Sequence, residues 1–227
     1  MSSSGGGMIP GIWGPMVWRF IHRAAHEYDT APRALSERDA LVFCLFLIRL
    51  AWVLPCSHCR VSYTDYLRSF LQVNEAGERR INAYFEQRAV RRLAVEIHDL
   101  VNQKLGKPVF ANLELDRRRS AVWSAEFLEP EFFGILFIIA INYRSNGEPE
   151  KETHYRRFFA LLPDLCMSLG HLRLAASLEA VELGNIVPFG QETLVSGLYE
   201  ALVLWTGRRD RVPALSALVD RYTLCRS

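Results

Sequence analysis

The chain has 227 residues, of which half are hydrophobic and 23% are charged, so disorder throughout, a collagen-like repeat and a dense disulfide scaffold are all excluded. Lys and Arg number 27 against 25 Asp and Glu, a net charge of +2 that gives no argument for nucleic acid. The length allows one large domain or two small ones.

The Ser- and Gly-rich start, Met1 to Met8, has neither a basic nor an apolar signal region and reads as a flexible tail. A first helix is predicted from Pro15, with Val17, Phe20, Ile21, Ala24, Ala25 and Tyr28 at helical spacing, ending at Asp29-Thr-Ala-Pro32. Ser36 with Asp39 resembles a capping box opening a second helix through Leu54, with Leu41, Leu45, Ile48 and Trp52 predicted to face inward. Pro55 ends it, and a third helix runs from the Pro55-Cys56 turn to about Leu71. After a loop at Asn74–Gly77, a helical pattern runs from Ile81 to Leu105, with Gly106 past its end. These elements fit a helical bundle.

A charged connection spans Asn112 to Ser120, and a second helical unit is predicted from about Ser120 to Ser227. Its helices are expected at Ala121–Tyr143, Lys151–Leu162, Leu165–Leu183, Glu192–Thr206 and Pro213–Leu224, with turns at Asn146–Pro149 and Gly184–Pro188. The longest uncharged apolar stretch, Phe132 to Tyr143, falls short of the ~20 residues a bilayer requires, so no membrane span is expected. The chain reads as soluble and intracellular, where structural disulfides are rare.

Cys56-Ser-His-Cys59 is the sharpest chemical feature among the five cysteines. At a helix N-terminus, unpaired N–H groups and the helix dipole stabilise a thiolate at Cys56, while Cys59 lies one turn deeper and can close a disulfide with it. Simple packing of two small apolar side chains and half of a zinc site remain as other readings; the chain supplies no second Cys-x-x-Cys to complete the zinc set, and no metal is expected. A thioredoxin-like site would need a strand before the pair, where a long helix stands instead. Trp18 and His22 share one helical face, as do His98 and Asn102, which lead to Gly106, Lys107 and Pro108. Flat rings, an amide and a cation make a lining for a planar heterocycle bearing phosphates.

In this order, Trp18…His22, Pro55-Cys56…Cys59 and His98…Pro108 resemble the ERV/ALR FAD-dependent sulfhydryl oxidases, and the Trp13-Gly14-Pro15 opening resembles the branch encoded by large DNA viruses. The resemblance covers roughly residues 11–110, about half the chain. It implies an all-α fold, a four-helix bundle plus a short fifth helix around FAD over residues 11–115, preceded by the tail (1–10) and followed by a helical domain (116–227) for dimerisation or substrate docking. It implies that Cys56 and Cys59 are catalytic. It also implies that Gly14, Trp18, His22, Tyr28, Cys59, His98, Val101, Asn102, Leu105 and Lys107 contact the cofactor. The implied reaction oxidises protein dithiols, of a thioredoxin-like relay or of virion proteins, and passes electrons to molecular oxygen, giving hydrogen peroxide. A homodimer, located in host cytoplasm or virion, is the implied setting, with no nucleic-acid partner. Asp99 stands where the family has asparagine, the neighbourhood of Ala111 lacks a structural cysteine, and no second Cys-x-x-Cys serves as a shuttle. A cofactor-free thiol–disulfide exchange protein and a non-enzymatic helical module are the competing readings.

Of the other thiols, Cys44 and Cys166 are expected to be buried and structural, and Cys225 to be a solvent-exposed bystander in the tail, with electron relay or a subunit bridge as the alternative. His154 and His171 read as isolated, Tyr155-Arg156-Arg157 as a solvated face, and the apolar helices Phe132–Ile141 and Leu198–Trp205 as core or dimer surface.

Overall fold

A computed structural model describes residues 10–72, 80–109, 129–143 and 148–223. The expected tail, the loop at Asn74–Gly77, the charged connection, the start of the helix at Ala121, the Asn146-Gly147 turn and Cys225 lie outside the described residues. Among the described residues the fold is all-helical, with no strand.

Helix α1 spans Pro10–Thr30 and so begins five residues before Pro15, where the sequence placed its start. Pro15 is tolerated there because it removes only the bond to the carbonyl of Gly11, next to the exposed helix entrance. Its predicted apolar face, Val17 to Tyr28, is buried throughout. Helix α2 (Glu37–Val53) opens on the expected capping box, with Ser36 and Asp39 each accepting from the other's backbone N–H. Arg33 grips the buried Asp39 carboxylate through both Nη atoms at 2.7 Å and holds its pKa down to about 2. The stability this supplies is complete above the ordinary carboxyl range and disappears as pH falls toward 2. Asp39→Ala is therefore expected to lose about 1–2 kcal/mol at pH 7, and urea unfolding at pH 3 should show a smaller difference from the parent protein.

The stripe Leu41, Leu45, Ile48 and Trp52 does not face inward. Leu41 and Trp52 are 51% and 45% exposed, while the adjoining face with Val42, Phe43, Phe46, Leu47, Leu50 and Val53 is buried. Both faces are apolar at helical spacing, so periodicity alone could not choose between them.

Helix α3 covers Ser57–Leu71. The pattern after residue 80 splits into a short α4 (Arg80–Glu86) and α5 (Val90–Lys104). The break is Arg88, left-handed at φ 49°, whose guanidinium donates to the carbonyls of Ala31 and Arg33. The Asp29 carboxylate of α1 then accepts from the backbone N–H groups of Val90 and Arg91, capping α5 from a neighbouring helix. At the far end Gly106, at φ 62°, and Lys107 donate to the carbonyls of Gln103 and Asn102, the Schellman pattern anticipated from the glycine.

Beyond the gap a π-helical turn, Glu129–Phe133, leads into α6 (Gly134–Ile141), which is buried on all sides. Helix α7 (Pro149–Ser168) runs straight through Pro163, correcting the expected division into Lys151–Leu162 and Leu165–Leu183. One proline forfeits one ladder bond; termination comes instead from Gly170, at φ 85°, with His171 donating to Cys166. Helices α8 (Leu172–Val181), α9 (Leu183–Ile186), α10 (Gln191–Thr206) and α11 (Leu215–Thr223) complete the described chain. Gly184 lies within α9 rather than in a turn, and a Cβ there would meet the Cβ of Ala160 at 2.8 Å.

Helix α7 lies along α2. Phe158 meets Phe46, Arg49 donates to the carbonyl of Arg157 at 2.7 Å, and Arg38 pairs with Asp164. Buried side chains from both halves form a single core cluster, in which Phe132–Ile141 sits entirely. Three sequence readings of the second unit are corrected here. Tyr155 is buried rather than solvated, His154 stacks on Trp52 at 4.3 Å, and His171 bonds Glu27 of α1 at 2.8 Å. Cys44 and Cys166 are buried and outside any disulfide, as expected, and burial pushes the Cys166 pKa up. Among the described residues no helix is long and apolar enough to cross a membrane.

Candidate redox site

Cys56 is the N-cap of α3, in extended conformation, and its Sγ accepts from the N–H of Cys59 at 3.2 Å. The two residues form a disulfide with Cα atoms 5.1 Å apart. Both are half-buried, while Ser57 and His58 between them are exposed. The local cause is Pro55, which ends α2 and forces a turn whose next residue must cap a new helix. At that cap the free N–H groups of the first turn stabilise negative charge on Cys56 when the disulfide opens.

Helices α1 and α5 bring the predicted aromatic and imidazole groups together. Trp18 stacks on His98 at 4.0 Å with ring planes 4° apart, and His22 Nε2 lies 2.9 Å from His98 Nδ1. Tyr63, one turn beyond Cys59 on α3, meets Trp18 edge-on at 6.3 Å and so connects the cysteine helix to this stack. Its hydroxyl is buried without a hydrogen-bond partner among the described residues, and burial raises its pKa. Sequence reasoning missed Tyr63, although its spacing of four from Cys59 was available as a signal.

The remaining predicted residues occupy the ends of these helices. Gly14 faces open space where a Cβ would stand. Asn102 is buried, Val101 and Asp99 are half-buried, and Leu105 and Lys107 are exposed at the end of α5. The Lys104 ammonium donates to the Ser62 hydroxyl, tying that end to α3. Tyr28 sits apart from the stack: its ring lies between Phe43 and Phe85, and its hydroxyl is 2.5 Å from Ser168 Oγ of α7.

The helical bundle thus connects a helix-capping disulfide, through Tyr63, to a tryptophan–histidine stack, an arrangement chemically able to exchange a disulfide for a dithiol. The Erv1 / Alr family model matches residues 15–120, a little under half of the chain. Two curated relatives are named, provisionally, FAD-linked sulfhydryl oxidases. That of Acanthamoeba polyphaga mimivirus is 32% identical over 44% of this chain and 63% of its own length. That of Frog virus 3 is 31% identical over 44% of this chain and 60% of its own length. The chain thus spans about three-fifths of the length of these relatives. No solved structure matches it.

Proposed function

We propose that the protein is an FAD-dependent thiol oxidase that introduces disulfides into protein dithiols. The observation that carries this reading is the Cys56–Cys59 disulfide at a helix N-terminus, connected through Tyr63 to the Trp18–His98 stack. The residues fit a flavin nucleotide. Tyr63 offers a buried hydroxyl lacking a partner among the described residues, Gly14 leaves space, and the end of α5 carries Lys107. Trp18, His22, His98, Val101, Asn102, Leu105, Lys107, Gly14 and Cys59 would hold the cofactor, with Tyr28 bracing α1 from behind. When bound, FAD supplies a two-electron acceptor for a dithiol and passes the electrons to oxygen, giving hydrogen peroxide.

The chain's own chemistry is thiol–disulfide exchange. A substrate thiolate attacks Cys56 Sγ, the Cys56–Cys59 bond breaks, and Cys59 leaves as a thiolate that takes up a proton. The second substrate thiol then attacks the mixed disulfide, releasing Cys56 and an oxidised substrate. Two hydrogens and two electrons have moved from the substrate dithiol to Cys56 and Cys59. The first-turn N–H groups of α3 lower the cost of charge on Cys56, which makes it the better leaving group in the second exchange. Adding dithiol to the purified full chain supplemented with FAD is expected to consume oxygen and release one hydrogen peroxide per disulfide formed. Disulfide exchange without oxygen uptake favours the cofactor-free exchange protein instead.

The viral relatives support virion or host-cytoplasmic dithiol proteins as substrates. The exposed Leu41 and Trp52, with half-buried Leu45 and Ile48 between them, support a homodimer. The double variant Leu41→Arg, Trp52→Arg is expected to run as a monomer on size exclusion with light scattering; unchanged mass places any interface elsewhere.

A further inference from the structure

The turn that carries Cys56 is held from two sides. From α3, Arg60 Nη1 donates to the carbonyl of Leu54 at 2.9 Å. From the second unit, Asn142 Nδ2 donates to the carbonyl of Pro55 at 3.5 Å, across 87 residues of sequence. Tyr155 of α7 is buried to 1% exposure, its hydroxyl without a hydrogen-bond partner among the described residues. The ring of Tyr143, fully buried, lies 4.5 Å from that of Tyr155. Pro55 is itself buried.

Two successive carbonyls, those just before Cys56, are therefore fixed by side-chain donors. Proline donates nothing from its own nitrogen, so without these contacts the Leu54–Cys56 backbone would be held only by its helix ends. The part-buried hydrogen bond is long and weak alone, but the next residue, Tyr143, is fixed in the core against Tyr155, so the backbone that carries Asn142 has little room to move.

We propose that Asn142, held in place by the buried ring of its neighbour Tyr143, is a positioning residue for the redox turn: it keeps Cys56 aimed at Cys59 and so favours the disulfide over the dithiol. The second unit would then be a structural part of the redox centre. The inference rests on the reading of Cys56 and Cys59 as the exchanging pair, and it neither needs nor involves flavin.

The test is the thiol–disulfide equilibrium of the full chain in mixtures of reduced and oxidised dithiothreitol, read by alkylation and peptide mass at Cys56 and Cys59. Asn142→Ala is expected to shift the ratio three- to tenfold toward the dithiol, and Asn142→Leu, which also lacks the donor, to shift it in the same direction. Asn142→Leu keeps a side chain of similar size and carries the test if Asn142→Ala does not fold. Ratios within twofold of the parent in folded variants, or a lowered melting temperature with an unchanged ratio, overturn the proposal. Shifted ratios in a chain that takes up no flavin would leave the positioning role standing and remove the oxidase reading; oxidase activity with unshifted ratios would do the reverse.

Discussion

Cys59→Ser and Cys56→Ser are expected to abolish dithiol oxidation alike, each by at least about a thousandfold, because the two sulfurs act as one unit. They should differ in what accumulates. In Cys59→Ser the N-cap thiol at Cys56 remains, stabilised as a thiolate by the first turn of α3. It can accept a substrate thiol into a mixed disulfide but has no neighbour to resolve it, so a substrate adduct should persist on a non-reducing gel. In Cys56→Ser the remaining thiol lies one turn deeper and lacks the cap position, and no adduct is expected at comparable exposure. Both variants lose the constraint of a four-residue loop, worth about 2 kcal/mol in the chain-entropy account. Equal destabilisation with adduct formation in one variant alone separates chemistry from stability; adducts in both, or in neither, would contradict the assignment of Cys56 as the attacked sulfur.

The second large effect lies far from the sulfurs. Phe158→Ala is expected to lower the unfolding free energy by about 3–5 kcal/mol, the range for deleting a fully buried aromatic ring. Phe158 has no exposed surface and touches Phe46 of α2 and Phe159 of its own helix. Its removal leaves a cavity at the seam where α7 covers α2, and neither rigid helix can collapse into it. Because α7 also contributes His154, the Arg157 carbonyl and Asp164 to α2, the family-like half alone would expose that whole flank. Denaturant unfolding of the full-length variant should show one transition, moved to lower midpoint with an unchanged slope. Two separated transitions would mean that the halves unfold independently.

The site was more legible than the fold around it. A capping serine, a helix-ending proline, a C-terminal glycine and the Cys-x-x-Cys pair are local signals, and each appears where its chemistry requires. The residues that meet across helices were harder. Trp18 and His98 could be placed on helix faces but not against each other, since their contact depends on how α1 packs on α5. On α2 two apolar stripes compete, and only the arrival of α7 decides which is buried. Pro163 looked like a break because proline usually is one; the core held by Phe158, Phe159, Leu162 and Leu165 outweighs one lost hydrogen bond. Asn142 gave no signal at all, because an asparagine gains meaning only from the turn it faces.

The most direct measurement is the visible spectrum of the full chain, purified with FAD present and freed of excess. The account predicts a yellow protein holding about one flavin per chain, bleached by dithiol under nitrogen in the parent and unbleached in Cys59→Ser. A colourless protein that retains no flavin, or a flavin bleached equally well without Cys59, would contradict it.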